Sequence, residues 1–346
     1  MANPVLVEVL RGTRVESAHT GAIAVSDPDG GLVLALGDTD RPIFPRSAVK
    51  AFQALPLIES GVAASLDLSD EEIALAVSSH GGEAAHVETA RRMLARTGRD
   101  EAVLECGAHW PMFQRAANDL VQAGIRPSAL HNNCSGKHAG FICLTCGEGG
   151  EPAGYVRADH PTMRMVMGAV SDMTGASMAP DGVGVDGCSI PTQSAVLARI
   201  ARGFARLATG QHVGPSRAAA FRRIREAAAK APFMVAGTGR FCTEVMALLG
   251  PRAFVKTGAE GVYCAAFPDA GLGVALKCDD GATRAAEIMM AAMIARFVPM
   301  SPTQTAAFER FLRPEIRNWN GILTGSMRPS AALMPNSGSE AGSAVL

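Results

Sequence analysis

Aromatic side chains are scarce in this chain: they make up 5% of its 346 residues, with two tryptophans and two tyrosines. There is no surplus of either charge, since 32 basic residues stand against 33 acidic ones and leave a formal net charge of −1. A chain with no basic block and no aromatic-studded basic stripe is a poor candidate for nucleic-acid binding. Long apolar runs are missing too. The longest, IMMAAMIARF at 288–297, is broken by Arg296 and too short to span a bilayer. The opening MANPVLVEVLRG interrupts its apolar run with Glu8 and Arg11, so it has no signal-peptide core. The expectation is a cytoplasmic protein acting on a small, roughly neutral molecule.

Cysteine is present, but scattered. The eight residues 106, 134, 143, 146, 188, 242, 264 and 278 lie in a chain large enough to need no covalent staples. They are expected to be free thiols, a minority of them available to a metal. The 48% hydrophobic content is sufficient for a large core.

Sheet signals sit at the two ends of the chain and helix signals in the middle. Residues 20–38 and 262–280 each carry two apolar runs around a turn, Asp-Pro-Asp-Gly-Gly in the first and Pro-Asp-Ala-Gly in the second. Both read as hairpins. VLVEVL near the start and AFVKT at 253–257 add strands. Helices are expected over 47–60, 70–78, 83–97, 112–124, 137–146, 161–175, 190–208, 215–230 and 282–298, with Pro191 suiting a helix start. The pattern predicts an α+β fold: an α/β sandwich lobe plus a helical lobe, with a cleft between them. Residues 1–328 form the catalytic unit in this reading. Residues 329–346, small, polar and Gly/Pro/Ser-bearing, form a loose tail.

Three stretches carry chemistry. In RSAVK, Ser47 and Lys50 stand one helical turn apart. A lysine acts as a base near neutrality only if its pKa falls from about 10.4 to about 7, and burial shifts a lysine by up to about 3–5 units. S-x-x-K alone arises by chance in many chains. Lys256-Thr257-Gly258 on a late strand raises its weight, because S-x-x-K with K-T-G is the pairing of serine β-lactamases and penicillin-binding proteins. HNNCSGKHAGF at 131–141, VDGCSIPTQ at 185–193 and VSSHGGE at 77–83 gather polar groups and Gly turns at element ends, where sites are built.

RSAVK, SSHGGE, NNCSGKHAG, DGCSIPT, AGTGR and VKTGAEG, in that order, resemble the rhizobial-type L-asparaginases, also called the thermolabile asparaginase II family. The likeness covers roughly residues 5–328. It implies a serine β-lactamase-like fold shared with glutaminases, a homodimer, and hydrolysis of L-asparagine to L-aspartate and ammonia. It further implies two catalytic pairs, Ser47 with Lys50 and Ser79 with Lys256. A zinc ion is implied beside them, on Cys134, Lys137 and Cys188. Asp186 matches a site aspartate of the family. Arg46, His80, Asn133 and Asp186 are taken as substrate-contacting residues, Arg46 for the α-carboxylate and Asp186 for the α-ammonium. In this reading Ser47 attacks and Lys50 takes its proton.

Alternatives remain open at this level: a glutaminase, a β-lactamase-like amidase, or a non-catalytic zinc- or thiol-responsive protein built on Cys134 and Cys188. Weaker motifs read as structure. Cys143-x-x-Cys146 lies in an apolar helix without a second pair, Gly237-Thr-Gly239 lacks a phosphate-loop setting, and His80, His86 and Glu88 lack zincin spacing.

Overall fold

The computed structural model describes residues 2–334. Eight strands form one antiparallel sheet drawn from both ends of the chain: β1 (Val5–Arg11), β2 (Arg14–Ser26), β3 (Leu32–Leu36), β4 (Phe254–Thr257), β5 (Val262–Phe267), β6 (Leu272–Cys278), β7 (Glu315–Arg317) and β8 (Leu323–Pro329). Their order is β7-β8-β1-β2-β6-β5-β4, with β3 paired to β2. The long strand β2 holds the sheet together. Its first half pairs with β1, and its second half pairs with β6 and β3.

Two glycines show how helices cover this sheet. A methyl group on Gly273 would lie 2.1 Å from the Ala205 nitrogen and 2.2 Å from the Ala201 oxygen. The helix Leu197–Thr209 (α3) therefore lies against the bare backbone of β6. On Gly21 it would meet Met289 of the helix Thr283–Phe297 (α4) at 3.2 Å. Gly273 pairs with Ser26, five residues from Gly21. An odd separation along a strand places the two contacts on opposite faces. The sheet is sandwiched, as expected.

Between the N-terminal strands and β4 lie most of the other helices, including Asp70–Ala76 (α1) and Ser135–Gly147 (α2). The start of α1 is a capping box: the Ser69 side chain accepts from the Glu72 N–H while Glu72 returns to the Ser69 N–H. One apolar core runs through both lobes without a break.

Four expectations need correction. Residues 47–60 do not form one helix but a 3-10 turn (Arg46–Val49) and two short helices, Lys50–Gln53 and Leu55–Glu59. Pro56 stands in the first turn of the last of these, where its missing N–H costs no helical hydrogen bond. The stretch 190–208 begins as strand Pro191–Gln193, and its helix starts only at Leu197. Ser189 carries a positive φ of 76°, so the chain turns there instead of entering a helix. The expected loose tail is tied down over 329–334: Pro329 pairs with Val7, Ser330 donates to the Val5 carbonyl at 2.7 Å, and Leu333 is buried. The rest of that expected tail, 335–346, lies outside the described residues. Finally, Pro302–Leu312 is a helix, and β7 and β8 extend the sheet, where no element had been assigned.

Candidate active site

The site forms where three close backbone approaches meet, each made by a glycine. A methyl on Gly136, early in α2, would lie 2.5 Å from the Leu75 carbonyl oxygen in α1. This contact carries Cys134 and Lys137 to the C-terminal end of α1, from which the chain runs on to Ser78 and Ser79. A methyl on Gly258 would lie 2.6 Å from the Pro45 carbonyl oxygen and 3.2 Å from Ala48 Cβ. Strand β4 with Lys256 and Thr257 is thereby pressed against the turn that bears Ser47. A methyl on Gly237 would lie 2.5 Å from Glu83 Oε1. That approach lets Glu83 accept from the Thr238 N–H and hydroxyl at 2.8 and 2.7 Å, while the Ser79 N–H donates to the Val235 carbonyl at 2.9 Å. The AGTGR loop is thus a clasp for the Ser79 loop.

Both lysines converge on one hydroxyl, and it is that of Ser79. Lys256 Nζ lies 2.9 Å from Ser79 Oγ and 2.9 Å from the Thr257 carbonyl oxygen. Lys50 Nζ lies 3.0 Å from the same Oγ and 3.1 Å from Cys134 Sγ, and it also bonds the Ser78 carbonyl. Both lysines are fully buried. The Ser79–Lys256 pair is therefore present, whereas among the described residues no hydrogen bond joins Lys50 to Ser47. The reason is the number of protons to be satisfied. A buried ammonium has three N–H bonds to place, and Ser78, Ser79 and Cys134 supply three acceptors where Ser47 supplies one hydroxyl.

Two positive charges at 3 Å from one oxygen repel each other, so the two lysines differ in state. For Lys256, burial and then the neighbouring charge of Lys50 lower the pKa well below the ordinary lysine value. Burial lowers Lys50 too; Cys134 and Cys188 oppose this only in part, the charge of Lys137 adds to it, and the pKa stays below the ordinary lysine value. Of the two, Lys256 is the more readily neutral, and a neutral Lys256 can accept the Ser79 O–H while it donates to Thr257 O.

The expected zinc ligands also meet. Lys137 Nζ lies 2.9 Å from Cys188 Sγ, and the Cys134 and Cys188 sulfurs are close enough to shift each other's titration. The neighbouring Cys188, with help from Lys137 and Lys50, holds the Cys134 thiol well below its usual range against the effect of burial. The neighbouring Cys134, together with burial, raises Cys188. Burial opposes the charge on Lys137, but the Cys134 and Cys188 sulfurs outweigh it and raise its pKa. Its partner is Cys188, not Asp186.

Asp186 instead pairs with Arg46, whose Nε and Nη2 lie 2.7 and 2.5 Å from Oδ1. Arg46 has a φ of +52°, and Ser189, in the turn after Asp186, has +76°. Left-handed backbone at residues other than glycine is uncommon and concentrates at functional sites. Beside Arg46 opens a cavity of about 460 Å³ lined by Arg41, Phe44, Val185, Glu260 and Lys277. Ser79 does not line it. Ser47, half-buried, follows Arg46 directly in the turn.

His80 is a correction. Its Nδ1 accepts from the Gly82 N–H at 3.1 Å, its Nε2 bonds Ser135 Oγ at 2.9 Å, and it is fully buried, so it offers no nitrogen to a substrate. His86 is likewise engaged by the Glu83 N–H and the Phe233 carbonyl, which removes the metallohydrolase reading of His80, His86 and Glu88. Asn133 is half-buried, and its backbone carbonyl accepts from the His80 N–H. Cys143 is buried with its thiol on the Met93 carbonyl, as core packing requires. The direct Lys50–Cys134 contact was not anticipated. No spacing in the sequence signals it, because it depends on the Gly136 approach.

Comparison with curated proteins finds no match. Among solved structures the chain is similar to a β-lactamase from Mycobacterium bovis (15% identity, 81% of this chain and 95% of that one, TM-score 0.39). It is also similar to a putative β-lactamase from Bacteroides dorei (14%, 75% and 84%, TM-score 0.41) and to the native form of Mglu (17%, 82% and 66%, TM-score 0.38). At these scores the likenesses carry no functional weight. The model of the L-asparaginase II family matches residues 7–329, nearly the whole of the described chain, and the protein belongs to that family.

Proposed function

We propose that the protein hydrolyses the side-chain amide of L-asparagine to L-aspartate and ammonia through an acyl-serine. The observation that carries this reading is the Ser79 hydroxyl held between two buried lysines, 2.9 and 3.0 Å away. Lys256 takes the Ser79 proton as the oxygen attacks the amide carbon, and Lys50 stabilises the developing alkoxide. Lys256 then returns the proton to the leaving ammonia, and water cleaves the ester. The amide N–H groups of Ser79 and Ala48 are engaged by Val235 and Pro45, so the oxyanion is assigned to the Ser47 N–H on the first turn of its 3-10 helix. Arg46 and Asp186 present opposite charges side by side, which suits the α-carboxylate and α-ammonium of a free amino acid.

By donor chemistry, two buried sulfurs and an amine that converge fit a zinc ion on Cys134, Cys188 and Lys137. Binding there requires Lys137 to lose its proton. Such an ion would supply positive charge that orients the substrate.

A second reading keeps Ser47 as the attacking group, with Ser79 relaying its proton. Ser47 is half-buried whereas Ser79 is only 5% exposed, which favours Ser47 for contact with substrate. Ammonia release from asparagine and glutamine, turnover of a chromogenic β-lactam, and mass mapping of the trapped acyl group separate these readings. Release from asparagine with the acyl group on Ser79 is the expected result. An acyl group on Ser47 selects the second reading, and no turnover of any amide overturns the function.

A further inference from the structure

A second cluster of metal-binding side chains lies in the sheet lobe, formed by residues the active site does not use. His19, Cys278 and Asp280 bring a ring nitrogen, a thiol sulfur and a carboxylate oxygen to within 4.8 Å of one another. The sheet register explains why they meet. Cys278 pairs with Gly21, and His19 stands two residues from Gly21 on the same face of β2. With no side chain at Gly21, nothing intervenes between the imidazole and the thiol. Asp280 follows at the turn into α4, where its Oδ1 accepts from the Ala282 N–H at 2.9 Å.

Asp280 holds the group together: Oδ2 lies 2.6 Å from His19 Nδ1, and Oδ1 accepts from Cys278 Sγ at 2.9 Å. Two protons thus occupy the space between three atoms that are each ordinary zinc ligands. The neighbouring Asp279 is occupied elsewhere, by Asn3 and Thr20. The decisive detail is His19 Nε2. It is buried and has no hydrogen-bond partner among the described residues, and the side chain is only 6% exposed. Moving the imidazole proton from Nδ1 to Nε2 therefore breaks only the hydrogen bond to Asp280, which the ion replaces, and displaces no partner of Nε2. Asp280 is about half exposed and gives an ion a way in, whereas Cys278 is sealed.

We infer that His19, Cys278 and Asp280 form a binding site for a zinc-class divalent cation, separate from the catalytic cluster and serving to clamp β2 to the turn between β6 and α4. On binding, the Cys278 thiol loses its proton to solvent and the imidazole proton moves from Nδ1 to Nε2. The sulfur, the freed Nδ1 and an Asp280 oxygen then ligate the ion, and water completes the shell. No oxidation or reduction is involved.

The test uses full-length Cys134→Ser protein, in which the other cysteine cluster is disabled. Cobalt(II) is titrated and the thiolate-to-metal charge-transfer absorption is read. Saturation at one equivalent is expected, with loss of the band in Cys134→Ser/Cys278→Ser and at least tenfold weaker binding in Cys134→Ser/Asp280→Asn. Zinc should raise the Tm of Cys134→Ser and leave that of the Asp280 variant unchanged. The Asp280 variant also guards against misfolding, since it keeps the thiol and alters a half-exposed side chain. Absence of the band in Cys134→Ser, or its survival unchanged in the Asp280 variant, overturns the site whatever the catalytic activity.

Discussion

Gly258→Ala is the sharpest probe of how the fold positions the chemistry, because it touches no reacting group. The glycine has an ordinary backbone conformation, so alanine is free to adopt it, and the whole effect is steric. The added methyl would sit 2.6 Å from the Pro45 oxygen, 3.1 Å from Val262 Cβ and 3.2 Å from Ala48 Cβ. The first of these is backbone, and the same oxygen accepts the Ala48 N–H at 3.0 Å, so it cannot swing aside as a side chain does. Strand and turn must separate by about 0.5 Å or more to restore normal contact. Overpacking of this kind costs about 1–3 kcal/mol, which a domain of this size survives. The catalytic cost is larger in proportion. A misplacement of about 1 Å loses on the order of 100-fold, so kcat/KM is expected to fall roughly 10–100-fold. Ammonia release and thermal melting are measured together. Gly168→Ala is the control: it lies within the helix Pro161–Thr174 with nothing within 4 Å of its added methyl. It should gain about 0.5–1 kcal/mol without loss of rate. If Gly258→Ala melts early yet keeps the parent kcat/KM, the contact between β4 and the Ser47 turn does not set the catalytic geometry.

Further outcomes follow from the same structure. Lys256→Met should lose at least about 100-fold in kcat, the lower range for a general base, while Lys50→Arg, which keeps the charge, should retain more activity; the reverse order would exchange the two roles. The rate should rise with pH through an apparent pKa well below the ordinary lysine value, belonging to the coupled pair, because the active form needs Lys256 neutral and its pKa is lowered. A flat profile would exclude a lysine base. Chelation or Cys134→Ser should reduce turnover without abolishing it, as metal analysis alongside the assay will show; complete loss on chelation would place the metal in the chemistry itself. Glu72→Gln should flatten the acid limb of the stability curve. Burial raises the Glu72 carboxyl, but hydrogen bonds from Arg96 and the Ser69 N–H outweigh it and the pKa is lowered. Its stabilisation is therefore present above the unfolded value of about 4.3 and is lost as pH falls through the lower folded value. Equal acid sensitivity of parent and variant in urea melts would refute this.

Much of the architecture was legible because local signals and tertiary structure agree. Asp-Pro-Asp-Gly-Gly and Pro-Asp-Ala-Gly mark the turns between β2 and β3 and between β5 and β6, and the short continuous apolar runs beside them read as buried strands. The active-site motifs were legible as clusters of chemical groups. What the sequence could not reveal was the reach of each side chain. Lys50 is three residues from Ser47, yet its nitrogen bonds acceptors supplied by residues 78, 79 and 134. Similarly, Arg46 and Asp186 looked like separate anchors and are one ion pair. The helix expected from Pro191 failed because proline suits a strand beginning as well as a first helical turn, and the left-handed Ser189 decides between them.

The threading of the central sheet has a consequence for biosynthesis. Strand β2 leaves the ribosome early, yet its partner β6 begins only at Leu272, almost 250 residues later. Until then the apolar second half of β2 has only β3 to bond with, and its other hydrogen-bonding edge stays open. Lys256, which completes the Ser79 cluster, also arrives late. The nascent chain must therefore carry an unpaired strand edge through most of its synthesis, a state prone to pairing with other chains. The slow step in its folding should be the capture of β2 by the late hairpin of β5 and β6. Yield in the cell should depend more on protection of that edge than on the stability of the finished molecule.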